Sequence, residues 1–497
     1  MPCVEVGVSG ITWGLWLAVA CHPSTDTRPG DDDDDDDTAA IVGHSFQTGE
    51  TGGGETHSTP TGSYSVSNLA SRLLPDAPSV VRVTWDQALA ASVTVVFSFD
   101  GETRRAPTRA LDSGSHEELL LGVPFGTDLT WWLELDGSEG AETTEPLGAR
   151  TAPLPPKLPS IRVEASDPSG WDPDVEYVML TVDEEGGVFL GGYWWAQIVD
   201  RKGRVVWAHR SEPGKIIMYP RVAATGHSLL FDLNSYWGSF DGGVSSQIQE
   251  LGLDGVETSR WDAPGLHHSF TQLPDRTLVY GDYTGGLGAY EEEIVEIDPT
   301  TGDRTTILDC ADWVASLGMA GAPCGTNTVS YDSRTNHLLV SWFTLDAISE
   351  VDLATNHVTR AFGHVPGAYA FDPVESAFWY QHGPYFTDTG TLLLSTHAEE
   401  SHSSELVVRE YEVDDGTETL HQVAVLGLGE GIDGEQMGEA HRLPGGDTLH
   451  NFGTNAHLRE YQPDGDVVWE LDWTNDHTIG RSEPLLVDLY DLVPARD

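Results

Sequence analysis

The chain has 497 residues, with 80 Asp+Glu against 25 Lys+Arg for a formal net charge of −55, and it carries 54 Gly and 16 Trp but only 5 Met. That length exceeds what one hydrophobic core accommodates, and the acidity, unrelieved by any Lys/Arg cluster, argues against nucleic acid or an anionic bilayer surface as a partner. Abundant Gly, Trp, Tyr and Thr, without long Ala/Leu/Glu/Lys stretches, point to an all-β protein rather than a helical bundle.

Val6 to Ala20 (VGVSGITWGLWLAVA) is an apolar run about as long as a signal h-region and too short to span a bilayer comfortably. It ends at Cys21 behind the small residues Ala18, Val19 and Ala20. This resembles a bacterial lipoprotein signal over residues 1–21, which implies export to the cell envelope and a lipid anchor at Cys21 facing the periplasm or the cell surface. Residues 22–74, with aspartate unbroken from Asp31 to Asp37 and then TGETGGGETHSTPTGS, hold too little apolar surface to fold and are expected to form a disordered linker. If Cys3 leaves with the signal and Cys21 is lipidated, Cys310 and Cys324 remain as an even pair across a short loop, and export predicts a disulfide. Two buried free thiols are the alternative should the chain stay inside.

Residues 75–155 show short alternating strands, VVRVTW, ASVTVVFSF, EELLLGV and DLTWWLEL, separated by polar turns. The phrase LLLGVPFGTDLTWWLEL resembles a fibronectin type III module, implying a small β-sandwich that positions rather than catalyses. PLPPKLP then marks a stiff boundary.

From residue 160 to 497 a unit recurs. Its first half is two strands around a turn, as in AQIVDRKGRVVW at Ala196 or HLREYQPDGDVVWEL at His457, in six copies. Its second half is another strand pair, as in SFTQLPDRTLVYGD and GPYFTDTGTLLLST. Four short strands repeated radially predict a six-bladed β-propeller, whose ring needs YVMLTV (Tyr177 to Val182), or the tail after Leu471 that includes LLVDLYDL, to join N- and C-terminal strands in one blade. Aligning the second halves on their turns puts His268, Asn327 and His382 at one register, where they would ring the channel mouth, with Gly438 at the matching place in the fifth unit.

The phrases LHHSFTQLPDRTLVYGD, NTVSYDSRTNHLLVSW, YQHGPYFTDTGTLLLST and EAHRLPGGDTLHNFG make residues 190 to 490 similar to the bacterial arylsulfotransferases, six-bladed propellers with an N-terminal β-domain. The resemblance implies a nucleophilic histidine, His382, that takes a sulfuryl group from an aryl sulfate and passes it to a phenol without a nucleotide donor or other cofactor. It implies a sulfate-binding or acid-base role for His268, with Asn327, Gln381, His267 and His441 lining the channel. The family has a His where this chain has Gly325, and an Arg after the Ser ending the next strand, where this chain reads Ser341-Trp342-Phe343. No G-x-S-x-G, H-E-x-x-H or P-loop occurs, and the spacing of His268, His382 and His441 does not define a metal site. The expected activity is therefore aryl-sulfate sulfotransfer. The alternative is an inactive envelope-anchored propeller whose channel docks a ligand or protein.

Overall fold

The computed structural model describes residues 62–185, 192–237, 241–283, 292–473 and 477–494; the expected signal, Cys21 and most of the expected linker lie outside these residues. Two antiparallel sheets come first. One orders Ser67–Leu73, Val81–Gln87 and Gly114–Leu120, and the other is centred on Ala91–Phe99 and Asp128–Gly137. Strict alternation along Val81–Gln87 turns Val83 and Trp85 inward, where they meet Phe97, Trp131 and Leu133 in one core. Ser67–Leu73 pairs with Val81–Gln87, and Tyr64 and Val66 are fully buried, so order begins before the expected boundary at residue 75. The reason is that a few apolar side chains suffice to seat an edge strand on a core built by others.

Among the described residues five sheets follow, each built on four consecutive antiparallel strands, with a fifth strand, Ala370–Asp372, added in parallel to the outer edge of one and Ile161–Ser166 to the outer edge of another. Their leading strands are Pro220–Val222, Leu266–Gln272, Thr326–Asp332, Trp379–Phe386 and Glu439–Arg442. Aspartates in the hairpins fold the chain back locally: Asp352 Oδ1 accepts the Ala354 N–H at 2.8 Å, while Asn356 takes the left-handed φ of +57° that its short polar side chain tolerates.

The remaining sheet joins the two ends of this region. Tyr177–Asp183, Trp194–Asp200 and Val205–Arg210 are preceded at the inner edge by Ile479–Leu485, which pairs antiparallel with Tyr177–Asp183. Ile161–Ser166 in turn adds to the outer edge of the sheet that ends in Val467–Trp473. Successive four-stranded sheets closed by a late strand against an early one are the arrangement of a β-propeller. The closing strand, Ile479–Leu485, lies in the expected tail after Leu471 and pairs with the expected YVMLTV strand. Leu489 and Leu492 of that tail are buried in a core shared with Leu74, Leu119 and Leu121, and the Tyr490 hydroxyl donates to the Leu119 oxygen at 2.8 Å. The tail thus cements the first two sheets to the propeller.

Cys310 and Cys324 form a disulfide with Cα atoms 6.1 Å apart. It ties the short helix Cys310–Ser316, capped by Asp309, to the segment leading into Thr326–Asp332.

Candidate active site

His268, Asn327 and His382 lie close to the starts of three inner strands, and His268 and His382 are partly exposed toward the channel. Local geometry sets the chemical form of His382. Tyr380 adopts a left-handed φ of +48°, its N–H donates to Asp346 Oδ1 at 2.7 Å, and its carbonyl accepts from His382 Nδ1 at 2.9 Å. A carbonyl can only accept, so the proton sits on Nδ1 and the lone pair on Nε2. Burial first, and then the nearby positive charge of Arg481, hold the His382 pKa well below the ordinary value. Burial, followed by His267 and His382, does the same to His268. Both imidazoles are therefore neutral near pH 7.

Sequence reasoning missed the central residue, Arg481. It is fully buried on the closing strand and its guanidinium reaches three other strands or their approaches. It donates to the Gly438 oxygen, to the Tyr219 hydroxyl at 3.2 Å, to the Asn327 oxygen at 3.2 Å and to Thr328 Oγ1 at 3.1 Å. Among the described residues no carboxylate forms an ion pair with it. Glu439, whose charge it stabilises, is already paired with Arg221 at 2.8 Å. A buried cation bonded only to neutral acceptors favours an anion nearby. Arg481 Nε, His268 Nδ1, Asn327 Oδ1 and Gln381 Oε1 are all buried polar atoms lacking a hydrogen-bond partner.

The other expected residues divide. Asn327 is 1 % exposed, its amide donating to the Gln381 oxygen at 2.7 Å. Gln381 is fully buried, its amide donating to Ser341 Oγ at 3.0 Å and to the Ala347 oxygen at 2.9 Å, so it braces two strands rather than lining the channel. His267 is buried with Nε2 2.9 Å from Glu292 Oε1, yet its ring meets the His268 ring edge-on at 4.5 Å, because a register shift between Leu266 and Phe270 interrupts the alternation that would have sent the two apart. His441 lines a cavity whose wall includes neither His268 nor His382. Among the described residues no group of three or more His, Cys, Asp and Glu side chains could hold a metal ion.

The positions that depart from the arylsulfotransferase pattern pack against each other. A Cβ on Gly325 would lie 2.7 Å from Phe343 Cε1 and 2.9 Å from Thr344 Cγ2, so the Phe343 ring occupies the space a side chain at 325 would need. Phe343 also lies 6.1 Å from the His268 ring, and Trp237 meets that ring edge-on at 5.1 Å. These two aromatics form a wall beside His268. Trp194 and Trp195, by contrast, are buried in blade cores.

No protein-family model and no curated protein matches the sequence. Among solved structures the chain is similar to a protein of unknown function from Bacteroides caccae, with 13% identity and a TM-score of 0.40 over 60% of this chain and 93% of that one. It is similar to a putative 6-phosphogluconolactonase from Bacteroides fragilis, with 12% identity and a TM-score of 0.37 over 76% and 93%. It is also similar to a catalytically inactive virginiamycin B lyase from Staphylococcus aureus, with 10% identity and a TM-score of 0.35 over 62% and 88%. None of these likenesses bears on what this chain does.

Proposed function

We propose that this chain is an arylsulfotransferase-like enzyme, a six-bladed propeller behind a fibronectin type III-like sandwich, that moves a sulfuryl group from an aryl sulfate to a phenol through His382. The observation that carries the reading is the form of His382, neutral with its lone pair on Nε2, in the field of a buried guanidinium without a carboxylate partner. In the first half-reaction the Nε2 lone pair forms an N–S bond while the S–O bond to the aryl group breaks, its electron pair leaving on the phenolate oxygen. In the second, an acceptor phenol gives its proton to the neutral imidazole of His268, its oxygen attacks sulfur, the N–S pair returns to Nε2, and the proton passes on to the phenolate released in the first step. Arg481 supplies the fixed positive charge that the family's Arg would supply after Ser341, and it acts through low-dielectric surroundings on the sulfate oxygens. Trp237 and Phe343 are placed to stack on the aryl group.

Export with a lipid anchor at Cys21 belongs to the same proposal, and the Cys310–Cys324 disulfide suits an oxidising compartment. A second reading, a ligand-docking propeller without chemistry, is favoured by the Gly325–Phe343 packing, which leaves no room for the family's third histidine. The two are separated by incubating the folded chain with 4-methylumbelliferyl sulfate and excess phenol. Acceptor-dependent release that disappears in His382→Ala supports the enzyme. No release with any phenol, from folded protein, leaves the docking propeller.

A further inference from the structure

A cavity of about 800 Å³ lies outside the histidine site, with neither His268 nor His382 in its wall. Its wall is drawn from all the inner strands, with Arg221, Thr271, Thr328, Tyr385, Glu439 and Glu483 among its residues. That volume suits a small organic molecule. We propose that this cavity binds an organic ammonium ion carrying an apolar body, with Glu483 as its charge partner. This proposal does not depend on sulfotransfer at His382.

The charges select a cation. One guanidinium, Arg221, serves two carboxylates, lying 2.8 Å from Glu439 Oε1 but 3.7 Å from Glu483 Oε2. The other arginine of the wall, Arg442, is paired with Glu410. Glu439 is well supplied, since its Oε2 also accepts the Ser482 N–H at 3.3 Å and lies 3.3 Å from His441 Nε2. Glu483 is not: Oε1 accepts the Val222 N–H at 3.0 Å, while Oε2 is shielded from solvent and has no hydrogen-bond donor. An ionised carboxylate oxygen left this way costs free energy that an N–H⁺ donor would recover. Burial accordingly pushes the Glu483 pKa up, whereas Arg221 holds Glu439 well below the usual carboxylate range.

The rest of the wall suits a body rather than a bare ion. Pro384, Pro444 and Leu486 are apolar, and the rings of Tyr331 and Tyr385 offer faces to a cation or an aromatic group. The Tyr385 hydroxyl accepts the Arg442 N–H at 2.6 Å and so fixes its ring.

The test is calorimetric titration of the folded chain at neutral pH with benzylamine and with its neutral counterpart benzyl alcohol, beside Glu483→Gln, Thr271→Trp and His382→Ala. Thr271→Trp fills the cavity from another wall and keeps its charges. The expected result is saturable benzylamine binding at one site per chain, weakened about tenfold or more when the alcohol replaces it. Both Glu483→Gln and Thr271→Trp lose it to a similar extent, and His382→Ala does not. Benzylamine binding no tighter than benzyl alcohol, or undiminished in both cavity variants, would overturn the proposal. If Glu483→Gln does not fold, Thr271→Trp alone decides.

Discussion

The Nδ1 nitrogen of His382 donates to the main-chain oxygen of Tyr380, and the Tyr380 N–H is itself held by the Asp346 carboxylate. Asp346 thus orients the imidazole through a backbone unit kept at a φ of +48°, a region that tyrosine enters only when its surroundings compel it. Asp346→Ala removes the acceptor and is expected to lower the turnover of aryl sulfate about tenfold with little change in KM, since the substrate does not touch it. Asp346→Asn keeps an oxygen in place and should recover most of the loss. Equal losses in both variants would mean that charge at Asp346, rather than the Tyr380 geometry, is what matters.

Arg481 predicts a large effect on stability that is separable from catalysis. Arg481→Met removes four hydrogen bonds: it strands the Gly438 oxygen and takes one bond each from the Asn327 oxygen, the Tyr219 hydroxyl and Thr328 Oγ1, which keep the Tyr219–Asn327 bond at 3.0 Å and the Gly383 N–H at 3.0 Å. The expected loss is about 4 kcal/mol, read from the urea midpoint at unchanged m-value. A loss below about 1 kcal/mol would show that the guanidinium does not brace the inner strands.

The Cys310–Cys324 bridge closes a loop of sequence separation 14, for which the chain-entropy model gives about 3 kcal/mol of stabilisation. The Cys310→Ser/Cys324→Ser double variant should lose roughly that amount in equilibrium unfolding. Both sulfur-bearing residues are at most 1 % exposed, so thiol reagents added after reduction should react only with unfolded chains.

Acid should destabilise the protein through buried histidines. Burial pulls His450 down to about 3 and His397 down to about 4. In the unfolded chain both rings take up protons near pH 6.5, so between about pH 4 and 6.5 the unfolded state binds more protons and stability rises with pH. The contribution is fully present above pH 6.5 and is lost on acidification. Each ring accounts for about 2 kcal/mol between pH 7 and pH 5. His450→Gln, compared with the parent by urea unfolding at both pH values, should show a correspondingly smaller difference. An unchanged pH dependence would mean that His450 is not the group being protonated.

The repeated sheets were legible because each hairpin carries its own turn chemistry, as at Asp352 and Asn356, which alternation alone then extends into strands. His268 and His382 could be placed because the turns fix the register of the inner strands. Arg481 could not, since it lies in IGRSEPLL after the last recognisable repeat and belongs spatially to a sheet begun near Tyr177. Its only sequence signal is an arginine on a short strand that also carries Ser482 and Glu483. The reason for Gly325 was equally hidden, because the ring that fills its side-chain space, Phe343, sits on a turn whose path no local pattern specifies.

Closure by Ile479–Leu485 sets an order of assembly. The strand that carries Arg481 pairs with Tyr177–Asp183, roughly 300 residues earlier, so this contact carries one of the largest loop-closure entropies in the chain. On the ribosome, sheets from Pro220 onward can form while the ring is still open, yet none of them holds the buried positive charge. His268 and His382 meet that charge only when the final strand slots in. A partly folded chain can therefore own both histidines and still lack the electrostatic environment that prepares them.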